Sequence, residues 1–270
     1  MLEILGYPFF QNALIGVIII SIASALIGTY ITTRRMTFIS GGVTHACFGG
    51  LGLGYYLGIS PVLTAAVFAV ISSLGVEWLS KRRSVRKDSA IAVIWALGMA
   101  IGIMFIFMTE GYVPELNSFL FGSVLTITRS DLWLFGGFTL LLIAFYALFM
   151  PLIVACSFDA DFARTRRLPV RFIDYAMTVF VAVAIVLTIR MIGIMLLMSL
   201  MSLPQMTAES LTRRYRPMIM VSVAVSMIGC VGGLFISYWL SVPASATIVL
   251  LLVGIFGLSR LVRPDSLSRR

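Results

Sequence analysis

The chain has 270 residues, of which 60% are hydrophobic and 11% charged, a balance far outside that of water-soluble domains. A soluble protein is therefore excluded. The excess of 20 basic over 11 acidic residues does not indicate a nucleic-acid binder, because the charges are parcelled between apolar segments instead of gathered on one polar surface.

Taken in chain order, the apolar runs predict an all-α, polytopic integral membrane protein with about eight or nine transmembrane helices in a single domain, 1–270. The spans fall at about 11–33, 36–58, 61–80, 89–109, 132–156, 172–189, 191–209, 217–240 and 243–262, with Pro61, Pro217 and Pro243 near starts, where a missing N–H costs least. Glu3 stands early and neither a basic n-region nor a small-residue cleavage site is seen, so the first run is expected to be kept as a span. Cys47, Cys156 and Cys230 lie in or at the ends of apolar runs without a C-x-x-C pair, and read as small core residues.

The second span carries the most informative stretch, Ser40 to Gly54. Gly42, Ala46, Gly50, Gly54 and Gly58 recur every fourth residue, a stripe that lets another helix come close. His45, the only histidine, has Gly41, Gly42 and Gly49 at i−4, i−3 and i+4, so its own helix does not crowd the ring. Imidazole inside a span points to a metal ligand or proton relay; the plainer alternative is a hydrogen bond to a neighbouring helix. No second strong ligand lies within one turn, although Ser40, Thr44 and Cys47 are near.

Tyr112 to Ser130 is too polar to span and reads as an outer segment that dips into the protein around Phe119-Leu120-Phe121. Further on, about 157–170 is the longest polar insert on the basic side. It predicts a short amphipathic helix with Phe158 and Phe162 on one face, stopped by Pro169. Met191, Met195, Met198 and Met201 recur at helical spacing, with Met206 beyond Pro204; packing is the plainer role, soft-metal contact the other.

Orientation follows from the basic residues. Five segments, at Arg34–Arg35, Lys81–Lys87, Arg164–Arg171, Arg213–Arg216 and Arg260–Arg270, hold all but Arg129 and Arg190. Basic loops stay cytoplasmic, so the N-terminus is expected outside and the C-terminus inside. No phosphate loop, H-E-x-x-H or G-x-S-x-G motif occurs, so no catalytic residue is predicted.

The chain resembles the permease subunits of bacterial metal-ion ABC importers, the zinc, manganese and iron group. The resemblance covers about Asn12 to Val262 and rests on four motifs in order: Arg34-Arg35-Met36 followed by His45-Ala46 and a glycine-rich helix, Phe119-Leu120-Phe121-Gly122-Ser123, Asp161-Phe162-Ala163, and Leu203-Pro204-Gln205-Met206-Thr207-Ala208. It implies a homodimeric pore in the bacterial plasma membrane, driven by a separate cytoplasmic ABC ATPase and fed by an extracytoplasmic metal-binding protein. ATP is used by the partner, and this chain itself binds no cofactor.

The resemblance further implies that His45 contacts the passing divalent cation, with zinc the first choice and manganese or iron open. Gly41, Thr44, Met195, Met198 and Met206 are path candidates, and Asp159, Asp161, Phe162, Ala163 and Arg164 would dock the ATPase. The sequence departs from the pattern at Gly41, where the family has aspartate, at Gln205 and Met206, where it has alanines, and at Arg167, where it commonly has glycine. Other readings are an ATPase-independent transporter or channel, a permease for a larger metal chelate, or a membrane scaffold.

Overall fold

The computed structural model describes residues 6–82, 85–109 and 122–262. Among them the secondary structure is helical: α1 (Pro8–Thr33), α2 (Phe38–Leu57), α3 (Pro61–Arg82), α4 (Lys87–Met108), a short 3-10 turn (Val124–Thr126), α5 (Arg129–Phe158), α6 (Ala160–Thr165), α7 (Val170–Leu200), α8 (Leu203–Leu211), α9 (Tyr215–Leu240) and α10 (Ala244–Val262). Most follow from unbroken apolar runs that end at polar or special-backbone residues. After α2, for example, Gly58 takes φ +67°, and the Gly58 and Ile59 N–H groups donate to the Tyr55 and Gly54 carbonyls at 3.3 and 3.0 Å. That closes the helix as a left-handed cap, a conformation glycine adopts without a Cβ penalty.

Among the described residues, seven helical runs are long and apolar enough to cross a bilayer: Pro8–Thr33, Pro61–Ser80, Lys87–Met108, Arg129–Phe158, Val170–Leu211, Tyr215–Leu240 and Ala244–Leu261. Three of the expected spans differ. The 36–58 run does form a helix, α2, but six glycines and His45 dilute its apolar character, and most of its residues are buried in protein. The expected pair 172–189 and 191–209 is continuous in α7 apart from Gly193, whose φ 78° and ψ 172° are non-helical; α8 follows. The outer segment expected at Tyr112 to Ser130 lies outside the described residues up to Phe121.

Packing groups the chain into two compact units that interleave in sequence. The first is Met1–Thr32, Phe121–Ala144 and Met191–Arg270; the second is Thr33–Leu120 and Phe145–Arg190.

Within the second unit, α2 runs between α3 and α4. A Cβ on Gly42 would meet Ile91, one on Gly98 would lie 2.5 Å from the Ala46 Cα, and one on Gly52 would lie 2.3 Å from the Gly102 carbonyl oxygen. Residue numbers rise together, so α2 and α4 pack in parallel, backbone on backbone. Gly50 and Gly54 face α3 instead, with Thr64, Ala65 and Pro61 in the way of any side chain. The stripe expected to admit one helix therefore serves two. In hydrocarbon no water is released by such contacts, so close van der Waals packing is what holds them. Phenylalanines fill the other part of this unit: the Phe145 ring lies 4.9 Å from Phe180, and Phe149 lies 5.8 Å from Phe172.

Within the first unit, α1 is nearly enclosed. Phe10 meets Phe235 edge to face at 5.5 Å, Asn12 Nδ2 donates to the Ile127 carbonyl at 3.3 Å, and a Cβ on Gly16 would lie 2.7 Å from Ile127 Cδ1. Gly229 and Gly233 of α9 receive Leu252 and Ile248 of α10. Gly122, at φ +47°, sits against the Ile192–Gly193 backbone with its Cβ position 2.4 Å from the Gly193 nitrogen. In contrast to α1, α4 and α10 bury only 17% of their apolar windows; faces this apolar would be a liability in water and suit hydrocarbon.

Candidate functional site

His45 lies in the middle of α2 and is partly exposed, while Gly41, Thr44, Ala46 and Cys47 around it are buried. The Thr44 hydroxyl donates to the Ser40 carbonyl, and Cys47 Sγ bonds the Val43 carbonyl at 3.0 Å. Both are spent on the backbone of their own helix, as hydroxyl and thiol groups in apolar surroundings commonly are. Neither is turned toward the imidazole.

The partner of His45 is an indole. Trp95 of α4 stacks on the imidazole with centroids 4.7 Å apart and planes 7° from parallel, and Phe48 lies further off at 6.3 Å. The parallel register explains this, since Gly42–Ile91 and Ala46–Gly98 contacts bracket Trp95 and bring it alongside position 45. Stacking covers a face of the ring and does not engage the in-plane lone pair of its unprotonated nitrogen. The glycines around His45 also serve helix packing. Gly49, for one, is occupied by Phe68, whose Cζ lies 2.6 Å from the Cβ position, and by the Gly98 carbonyl at 3.0 Å.

Among the described residues no group of three His, Cys, Asp or Glu side chains could hold a metal ion. His45 is a borderline ligand type, and no such cluster surrounds it among the described residues. Gly41 is buried and brings no ligand.

The methionines do not share one environment. Met191 and Met201 are 3% and 1% exposed, Met195 is 42% exposed, and Met198 and Met206 fall between. The break at Gly193 separates Met191 from the rest and resets the helical phase, so a single face spanning all four does not form.

The insert at about 157–170 forms a short helix, α6, but it holds only Phe162; Phe158, expected on the same helical face, is the last residue of α5. Asp159 is the N-cap of α6, accepting the Phe162 N–H at 2.8 Å, and Arg164 pairs with Asp161 at 2.7 Å. Ala163 is fully buried while Phe158 and Phe162 are 59% and 55% exposed, and the Arg166 guanidinium sits 5.4 Å from the Phe162 ring centre. Arg167 ends the helix at φ +56°, a left-handed position that costs a non-glycine residue roughly 1 kcal/mol.

Two buried ion pairs were not anticipated. Arg34, just past α1, pairs with Asp174 of α7 and donates to the Cys156 carbonyl near the end of α5 at 2.8 Å. Glu77 of α3 is 3% exposed and faces Lys87 Nζ at 3.8 Å; that ammonium also lies 3.3 Å from Met36 Sδ. Arg34 and Lys87 looked like ordinary flanking cations. The available signal was the isolated acid: Glu77 and Asp174 each sit inside otherwise apolar runs, where an unpaired carboxylate is costly.

A model of the family described as "ABC 3 transport family" matches residues 6–263. An uncharacterized membrane protein of Synechocystis sp. is 40% identical over 250 residues, covering 93% of this chain and 89% of the relative. The manganese transport system membrane protein MntC of Halalkalibacterium halodurans is 29% identical, covering 97% and 90%. Among solved structures, PsaBC from Streptococcus pneumoniae in complex with Fab superposes with a TM-score of 0.85 at 26% identity, covering 97% of this chain and 95% of that one.

Proposed function

The chain belongs to the ABC 3 transport family, and from that premise we propose that it is the membrane-spanning permease subunit of an ATP-driven importer for a divalent metal cation. The observation that carries the metal reading is His45: one imidazole inside a protein-packed helix, one face held by Trp95, with no cluster of three His, Cys, Asp or Glu side chains among the described residues. A lone neutral ligand holds a cation briefly, as passage requires, whereas a cluster would trap it. Manganese is the first candidate because the Halalkalibacterium relative carries it in its name; zinc, favoured by imidazole, is the second, and iron the third.

Energy enters from outside the chain on this reading. The sequence has no phosphate loop, and the turn from α5 into α6 offers a cytoplasmic partner two exposed phenylalanines, Phe158 and Phe162, with charges of both signs beside them. A second copy would complete the pore, and an extracytoplasmic binding protein would deliver the metal in a bacterial plasma membrane. The apolar run Val170–Leu211 has 42 residues, about 63 Å if straight, twice the ~30 Å hydrocarbon core. Divided at Gly193 it becomes two crossings, and with α2 added to the other six runs the count is nine. An odd number agrees with an external N-terminus and a cytoplasmic C-terminus.

The decisive measurement is uptake of manganese, zinc and iron by cells expressing the chain with its neighbouring ATPase and binding protein. His45→Ala is expected to reduce uptake of the carried metal at least tenfold, the loss of about 1.4 kcal/mol of ligand contact, at unchanged membrane content. Uptake equal to that of the unaltered chain would remove His45 from the path.

A further inference from the structure

Gln205, in the first turn of α8, is fully buried in the first unit. Its side-chain NH2 donates to two carbonyls, Ser24 of α1 at 3.0 Å and Leu200 of α7 at 3.1 Å. The two acceptors fix which end of the amide is which, since turning it over would set its oxygen against two other oxygens. Leu200 is the last residue of α7, so its carbonyl is one of those a helix end leaves without an intrahelical partner, in surroundings where water is not at hand to serve it. A single amide thus closes the end of α7, reaches across to α1, and does so from the first turn of α8.

The socket for this amide is Gly28. A Cβ there would lie 2.5 Å from both Gln205 Cδ and Nε2, and 2.9 Å from the Met201 carbonyl oxygen. Glutamine at 205 and glycine at 28 are therefore a matched pair. Methionine would fill a similar volume and would not bury the amide oxygen, which has no side-chain or backbone partner among the described residues. What distinguishes glutamine is the pair of donated bonds.

We propose that Gln205 is a positioning residue: it sets the elbow between α7 and α8 against α1, and through it the placement of the adjacent Met206 and the rate of the transport cycle. The transport half rests on the permease reading. α8 is only nine residues long, too short to hold its place by its own helical hydrogen bonds, and it joins α7 to the basic segment at Arg213–Arg216.

The test uses the full-length chain in nanodiscs for hydrogen exchange, and cells carrying the whole importer for uptake. Gln205→Met is expected to speed exchange across residues 203–211 about tenfold, the effect of losing two ordinary hydrogen bonds, with α10 unchanged. Uptake at saturating metal should fall several-fold with the half-saturating concentration unaltered. Gly28→Ala, which leaves Gln205 in place and crowds its amide, should give the same pattern and covers the case in which the first variant does not fold. Exchange equal to that of the unaltered chain in either folded variant would overturn the brace. Faster exchange with full uptake would overturn its part in transport. No uptake by the unaltered chain would overturn the permease reading and with it the transport half, while exchange still decides the brace.

Discussion

At the scale of single residues, stability hangs on a few polar groups placed where no water competes. Arg34 ties the ends of three helices by pairing with Asp174 and bonding the Cys156 carbonyl. Removing one member of a buried pair strands the other charge, a loss of about 3–5 kcal/mol, whereas replacing both by apolar residues of similar volume is far milder. Arg34→Met is accordingly expected to lower the melting temperature of the purified protein sharply, and Arg34→Met with Asp174→Leu to recover most of it; a double variant as unstable as the single one would show that the pair is not the cause. Arg167 illustrates the opposite case, a residue whose backbone is unfavourable. Its φ is left-handed, and Arg167→Gly is expected to leave stability within about 1 kcal/mol, relief of the left-handed cost being offset by the greater freedom of glycine in the unfolded chain.

At the scale of elements, the α2–α4 contact is the most demanding feature of the second unit. The Cβ positions of Gly52, Gly98 and Gly102 fall within 2.3–2.5 Å of backbone atoms of the facing helix, and backbone, unlike a side-chain tip, has nowhere to move. Gly98→Val should therefore abolish the folded, monodisperse species seen by size-exclusion chromatography. Gly254 of α10, with nothing within 4 Å, should accept alanine and gain about 1 kcal/mol of helix stability. Equal behaviour of the two variants would refute the close approach. The elements themselves were legible in the sequence because a span is an apolar run bounded by charge, and α3, α4, α5 and α9 begin and end within a few residues of the expected limits. The small-residue stripe was legible too. Its division between α3 and α4, and the arrival of Trp95 beside His45, were not, because both depend on the crossing register of helices distant in sequence.

At the scale of the whole molecule, the basic residues supply a global constraint that no local contact supplies. All but Arg129 and Arg190 fall in five segments expected on one side. A fluorescent reporter fused after Arg270 should be active in the cytoplasm, and a secreted phosphatase inserted within 110–121 should be active outside; the reverse result would invert the proposed orientation. Phe162→Asp is expected to release the ATPase from membranes, and its full retention would remove α6 as the docking element. The interleaving of the two units also bears on how the chain is made. The second unit is finished by residue 190, but α1 belongs to the first, and its contacts lie at Ile127, Met201, Gln205 and Phe235. The helix that leaves the ribosome first must wait in the bilayer until nearly the last is synthesised. A chain released at about Arg190 would carry a completed second unit and an α1 still lacking its Met201, Gln205 and Phe235 contacts, with serines and threonines that are buried in the finished protein bared to lipid.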